Sequence, residues 1–183
     1  IKYMFYILIT INLVSCTESN SSIQKSFDSN KTEISVSYAE HFKLYKIDSG
    51  IELQILNPDT KKIEKTYVIN LSKERKIISM STTLNGMVSL LEVSDRLIGV
   101  SEIKYVYDST ILAKYHQGII SEFGNETNYS IEKVIQSNAS TILYSGFGDE
   151  LPNHSKLEKL GLEIIPIYDW REIHPLGKAE WIK

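Results

Sequence analysis

The chain of 183 residues holds a single cysteine, Cys16, so it has no internal disulfide. It also lacks a basic excess. Twenty Lys and Arg stand against 23 Asp and Glu, for a net charge of −3, and no basic patch offers a footprint for nucleic acid. No apolar run reaches the roughly 20 residues that a bilayer-spanning helix needs; the run near the N-terminus covers only Tyr3 to Leu13. No H-E-x-x-H, C-x-x-C, G-x-G-x-x-G, G-x-x-x-x-G-K-[ST] or G-x-S-x-G pattern occurs. "SGFGDE" (145–150) has two glycines without the dinucleotide spacing. The N-x-T triplet from Asn125 to Thr127 is of a kind that any Asn-rich chain produces by chance. A hydrophobic share of 42% is ordinary, and the length suits one domain with or without a small appendage.

What is present begins with "IKYMFYILITINLVSC", where Lys2 precedes a short apolar core and Cys16 closes it. That length and those flanks suit a secretory signal. Leu13, Val14, Ser15 and Cys16 resemble the bacterial lipobox, which implies cleavage before Cys16 and a diacylglyceryl anchor on its thiol. The alternative is a buried N-terminal helix carrying an incidental thiol. On the lipobox reading, residues 1–15 are a signal peptide, and Ser/Asn-rich residues 16–31 are a lipidated, flexible tether too polar to pack. No methionine opens the sequence, so the start is expected at Met4 or upstream.

From residue 32 to 75 the pattern has period two. "HFKLYKI", "IELQIL" and "KTYVIN" read as three strands of an antiparallel meander, parted by turn material at "DSG" and "NPDTKK". At Lys76 the style changes. Strands are expected at 76–80, 96–101, 141–145 and 162–167. Between them, Leu84, Met87, Val88 and Leu91 make a helical stripe with Thr82 or Thr83 as its cap. A second helix is expected over 128–138, bearing Ile131, Val134 and Ile135, and a third over 151–161, with Pro152 early and Gly161 as its stop. Pro175 suits the first turn of another. Alternating strands and helices predict an α/β fold: a parallel, Rossmann-like sheet with helices on both faces, preceded by the meander.

Three stretches carry a family likeness: "KIISMSTTLNGMVSLLEVSDRLIGVS" (76–101), "NYSIEKVIQSNASTILYSGFG" (128–148) and "EIHPLGKAEWIK" (172–183). Together they resemble the N-terminal lobe of periplasmic substrate-binding proteins of iron-complex and cobalamin ABC importers. The third stretch is the most specific. It is similar to the segment that opens the interlobe helix in Bacteroidetes-type members. The resemblance implies a ligand-binding lobe over 76–174, the start of the interlobe helix at 175–183, and a second lobe lying outside this sequence. It also implies a ferric siderophore, haem or cobalamin as ligand, no resident cofactor, a permease with its ATPase as partner, and a lipid-anchored place in the bacterial cell envelope. Two departures stand out. Ser137, Asn138, Ala139 and Ser140 replace the family's Pro-Asp-containing turn, and Leu84 stands where many relatives have a histidine.

In open parallel sheets ligands sit beyond the carboxyl ends of the strands. Those ends point to Thr82, Thr83, Tyr105, Tyr107, Tyr144, Phe147, Trp170, Arg171 and Glu172 as the ligand-binding set. Aromatic planes suit a corrin, a haem or a catecholate, and Arg171 would pair with an anionic chelate. Tyr144 and Trp170 read equally well as packing or rim residues. Asp149 and Glu150 match the position of an acid that docks on the permease in relatives; an acid favoured at a helix N-terminus reads equally well. Glu172 and His174 make a weak metal pair, against which a local helix-capping role is set. A hydrolase-type α/β enzyme with Ser81 as nucleophile is the competing function, though no base or orienting group accompanies it. A truncated lobe that binds nothing is the third reading.

Overall fold

The computed structural model describes residues 31–148 and 150–183. Two sheets organise them. The first is antiparallel: β1 (Thr32–Ile34), β2 (Phe42–Ile47), β3 (Gly50–Leu56) and β4 (Ile63–Ile69) pair in the order β1-β2-β3-β4. The three expected strands are present, and β1 adds a fourth. Gly50 follows the two-residue turn at φ +144°, and a Cβ there would overlap the Ile69 carbonyl.

The second sheet is parallel. β5 (Ile77–Ser79), β6 (Leu97–Val100), β7 (Ser121–Glu122), β10 (Thr141–Tyr144) and β11 (Glu163–Pro166) lie in the order β11-β10-β5-β6-β7. A small antiparallel hairpin, β8 (Gly124–Asn125) and β9 (Asn128–Tyr129), follows β7. Helices α1 (Thr82–Leu90), α2 (Ser109–His116), α3 (Ile131–Gln136) and α4 (His154–Lys159) connect the parallel strands, and α5 (Pro175–Glu180) follows β11. The expected α/β architecture is therefore the observed one. β7, the hairpin and α2 were not expected from the sequence.

Packing explains the two layers. Ile78, Ile142 and Ile164 face one side, where Val134 of α3 and Leu157 of α4 complete a core. On the other side Val88 of α1 packs with Leu97, Val100 and Ile111 of α2. Over β10 and β11 that second face has no helix. Phe42, Leu44, Ile55 and Tyr67 of the meander cover Leu143, Ile165 and Ile167 instead, and Leu84 joins them. Tyr67 also donates to the Ile164 carbonyl at 2.5 Å. The meander is thus a packed layer of the fold, fixed by apolar burial.

Several helix ends differ from expectation. Ser81, not Thr82 or Thr83, is the N-cap of α1, and the buried stripe is Leu84, Asn85 and Val88, with Leu91 half exposed. Ile135 of α3 is exposed as well. Pro152 lies in the turn ahead of α4, whose N-cap is Asn153 in the left-handed region at φ 61°. α1 stops on Glu92 at φ 57°, with Val93 donating back to the Val88 carbonyl at 3.2 Å. This is the geometry that glycine usually serves. α2 begins at Asp108, which accepts from the Ile111 amide at 2.9 Å, and ends in the same motif at Gly118.

Candidate functional site

Around β5 the strand order reverses. The chain leaves β5 through α1 toward β6, whereas β10 lies on the other side and leads through α4 to β11. Ligands of open α/β sheets sit outside the carboxyl ends at such a switch point. A cavity of about 360 Å³ opens there, lined by Met80, Ser81, Thr82, Ser101, Glu102, Asn125, Glu126, Thr127, Ser145 and Phe147.

Its floor is tightly made. Glu126 accepts from the Ser145 amide at 2.6 Å and from the Ser145 hydroxyl at 2.8 Å. Asn125 holds Glu126 in place, because its Oδ1 accepts from the Thr127 and Asn128 amides at 3.2 and 2.9 Å. The Ser145 carbonyl accepts from Trp170 Nε1 at 2.7 Å. Trp170 then leans on Phe147 with ring centroids 4.5 Å apart, and Phe147 is 73% exposed. The result is a pocket of hydroxyls and carboxylates with an open aromatic wall.

A second cavity of about 330 Å³ shares Thr82 with the first. Thr83, Asn85, Gly86, Tyr105, Val106, Tyr107 and Asp108 complete its lining. Of the nine expected ligand-binding residues, Thr82, Thr83, Tyr105, Tyr107 and Phe147 therefore line two adjoining cavities, and Trp170 backs the wall.

The other three sit elsewhere. Tyr144 is 4% exposed and belongs to the core; strand alternation turns Ser145, not Tyr144, toward the switch point. Burial, reinforced by the charges of Glu64, Glu150 and Glu126, pushes its hydroxyl up to about 12. Arg171 is paired with Asp59 of the β3–β4 turn and lies 5.4 Å from the Trp170 ring, so its charge is already met. Glu172 is buried at a clasp against the meander.

That clasp accounts for the motif "EIHPLGKAEW". Glu172 accepts from the Glu40 amide at 3.0 Å, the His41 amide at 3.2 Å and Trp181 Nε1 at 3.0 Å. His41 Nδ1 lies 3.0 Å from the same carboxylate, off the line of a hydrogen bond. Glu180 accepts from the amides of Ser37, Tyr38 and Ala39 at 2.7–2.9 Å. Two carboxylates thus hold five consecutive backbone N–H groups. Gly177 is required by this approach, since a Cβ there would stand 2.9 Å from the Tyr38 carbonyl oxygen. His174 accepts from the Leu176 amide at 3.1 Å and caps α5, the local role set against metal binding. Trp181 closes α5 and packs on Phe42 at 4.6 Å. Burial raises the Glu180 carboxyl, but hydrogen bonds from Lys183 and from the Ser37, Ala39 and Tyr38 amides outweigh it and draw the group to about 2.

Glu150 is exposed and lines a third cavity of about 300 Å³ with Glu64, Lys65, Tyr144, His154 and Glu158. Burial lowers the His154 imidazole there, while Glu150 pulls it the other way. Asp149 and Cys16 lie outside the described residues. Among the described residues no group of three or more His, Cys, Asp or Glu could hold a metal ion, and no helix is long and apolar enough to cross a membrane. No histidine lines the cavity that contains Ser81.

Glu126 and Asn125 fall outside every expected strand end, whereas Ser101, Glu102 and Ser145 lie at expected strand ends without belonging to the expected ligand-binding set. For the first two a signal existed: an Asn-Glu-Thr-Asn run is turn chemistry, whatever else the triplet means.

No protein-family model matches the chain. Over 123 residues, 63% of its length, it is 28% identical to an uncharacterized lipoprotein of Methanocaldococcus jannaschii, and spans 29% of that protein. Its neighbours among solved structures are periplasmic binding proteins. A heme-binding protein from Pseudomonas aeruginosa overlays 51% of this chain and 31% of its own, at TM-score 0.40 and 16% identity. A periplasmic binding protein from Veillonella parvula does so at 0.42 and 15%, covering 57% and 36%. The vitamin B12 binding protein of Vibrio cholerae does so at 0.42 and 18%, covering 60% and 46%. The chain spans less than half of each.

Proposed function

We propose that this chain is the N-terminal lobe of a lipid-anchored solute-binding protein. It captures a bulky metal chelate (a ferric siderophore, haem or cobalamin) and delivers it to an ABC permease with its ATPase. The observation that carries the reading is the open, aromatic-walled cavity at the switch point of a parallel sheet, where this architecture places ligands. The sequence likeness of 76–101, 128–148 and 172–183 to importer binding proteins supports it. The lipoprotein relative supports the anchor at Cys16.

On this reading the work is binding alone. The lobe presents half of a clamp, a second lobe closes on the ligand, and the ligand shifts the equilibrium by its greater affinity for the closed form. Phe147 and Trp170, tilted 46° to each other, supply an aromatic wall at the cavity mouth, and Thr82, Ser101 and Thr127 supply hydroxyls. Glu150, exposed on the same lobe, is the acid offered to the permease. Residues 16–31 tether the lobe to the envelope membrane.

The test is titration of the full-length protein with haemin, cyanocobalamin and a ferric catecholate, read as Trp170 fluorescence in a Trp181→Phe background. Saturable quenching by one of the three, lost in Trp170→Phe, is expected. No quenching by any of them defeats the aromatic-wall reading. Turnover of simple esters that vanishes in Ser81→Ala would favour the hydrolase instead.

A further inference from the structure

The side chains that line the cleft carry charge of one sign only. Among the described residues, neither the switch-point cavity nor the one that adjoins it at Thr82 is lined by a Lys, Arg or His, whereas Glu102, Glu126 and Asp108 line them. Glu126 accepts from the Ser145 amide at 2.6 Å and the Ser145 hydroxyl at 2.8 Å, and no cation among the described residues pairs with it. Asp108 accepts from the Ile111 amide at 2.9 Å as the cap of α2 and is likewise without a cation. A cleft lined by one sign of charge, with low-dielectric walls, focuses its field on whatever enters.

The neighbouring cations are already engaged. Lys104 Nζ lies 3.0 Å from the Glu102 carboxylate and 4.8 Å from the Tyr105 ring. Arg171, beside the Trp170 ring, is paired with Asp59. An anionic group entering the cleft would meet the carboxylates of Glu126 and Asp108 with no cation to offset them, and like charges brought together weaken binding. A hydrogen-bond donor fares better. Ser101 is 5% exposed, lines the switch-point cavity and has no side-chain partner among the described residues. Together with the Glu126 carboxylate it offers acceptors to an amide N–H or an ammonium.

We infer that this cleft filters chelates by charge: it admits those with an uncharged or cationic periphery and rejects those with an anionic one. This rests on the cleft being a ligand site and narrows the ligand class. A corrinoid edged with amides, or a hydroxamate chelate carrying an amine, passes; haem with its propionates and a ferric catecholate do not. Specificity of this kind comes from unpaired charge set against the wrong ligand.

The test holds shape constant and varies charge. The full-length protein is titrated by calorimetry with three matched pairs: cyanocobalamin and its side-chain monocarboxylate, the diamide of haemin and haemin itself, and ferrioxamine B and its N-succinyl derivative. In whichever pair binds, the less negative member is expected to bind about ten-fold more tightly at low salt. Glu126→Gln should shrink that gap several-fold, and Glu102→Gln, which releases Lys104, should strengthen binding of the anionic member. Equal or tighter binding of the anionic member by the native protein, or a gap unchanged in both variants, overturns the filter. Binding of an anionic member in preference keeps the transport reading and sinks the filter alone. Binding by no member of any pair sinks the transport reading and the filter with it.

Discussion

Replacing Glu172 should unfold the clasp and leave the two switch-point cavities intact. The side chain is 1% exposed and is the acceptor for two backbone amides and the Trp181 indole. In Glu172→Leu those three donors lose their partner. Each buried donor left open costs about 1–3 kcal/mol, and partial relaxation of the 37–41 loop recovers some of it. The expected loss is about 3–5 kcal/mol, a large share of the roughly 5–15 kcal/mol that holds a domain together. Glu172→Gln keeps one acceptor oxygen and should lose about half as much. Urea unfolding followed by Trp181 emission and by circular dichroism gives both values. A double-mutant cycle with Trp181→Phe should show coupling of about 0.5 kcal/mol or more, because the two side chains share a hydrogen bond. Chelate affinity of Glu172→Gln should equal that of the native protein. A stability change below about 0.5 kcal/mol for Glu172→Leu, the range of an ordinary surface substitution, would refute the clasp.

Other outcomes follow from the same contacts. Glu180, held at about 2 in the fold against an ordinary 4.5, stabilises the protein fully above the unfolded value. That contribution is lost as pH falls from about 4.5 toward 2, and Glu180→Gln should remove this part of the acid-unfolding profile. Glu92→Gly relieves a left-handed residue at the end of α1 and should raise stability by about 0.5–1 kcal/mol in thermal unfolding. Gly99→Ala should cost about 1–3 kcal/mol, since a Cβ there overlaps the Phe123 ring. Cys16→Ser should move the protein from the membrane fraction to the soluble one in fractionated cells.

The fold was legible where a periodic pattern met its physical cause. The meander shows period two because one face packs on Leu143, Ile165 and Ile167. The central strands of the parallel sheet read as short apolar runs because both faces are covered. β7 escaped notice because two residues, Ser121 and Glu122, carry no pattern. α2 was missed although Asp108 and Gly118 mark its ends, since only Ile111 is buried along it. The cavities were half legible. Strand ends located Thr82, Tyr105 and Phe147, but the turn signal at 125–128 does not say that Glu126 meets Ser145, which only the tertiary structure reveals. The role of Glu172 and Glu180 could not be read at all, because their partners are backbone amides 131–143 residues earlier. The stretch with the most specific family likeness proved to be a clasp for the loop that precedes β2.

The decisive point is where a chelate touches the chain. Backbone amide resonances, mapped with and without a saturating amount of whichever chelate quenches Trp170, decide it. Shifts are predicted at 81–83, 101–108, 125–127 and 145–148, with the 37–41 loop silent. Shifts confined to the clasp or the meander, or a spectrum unmoved by haemin, cyanocobalamin and a ferric catecholate alike, would contradict it.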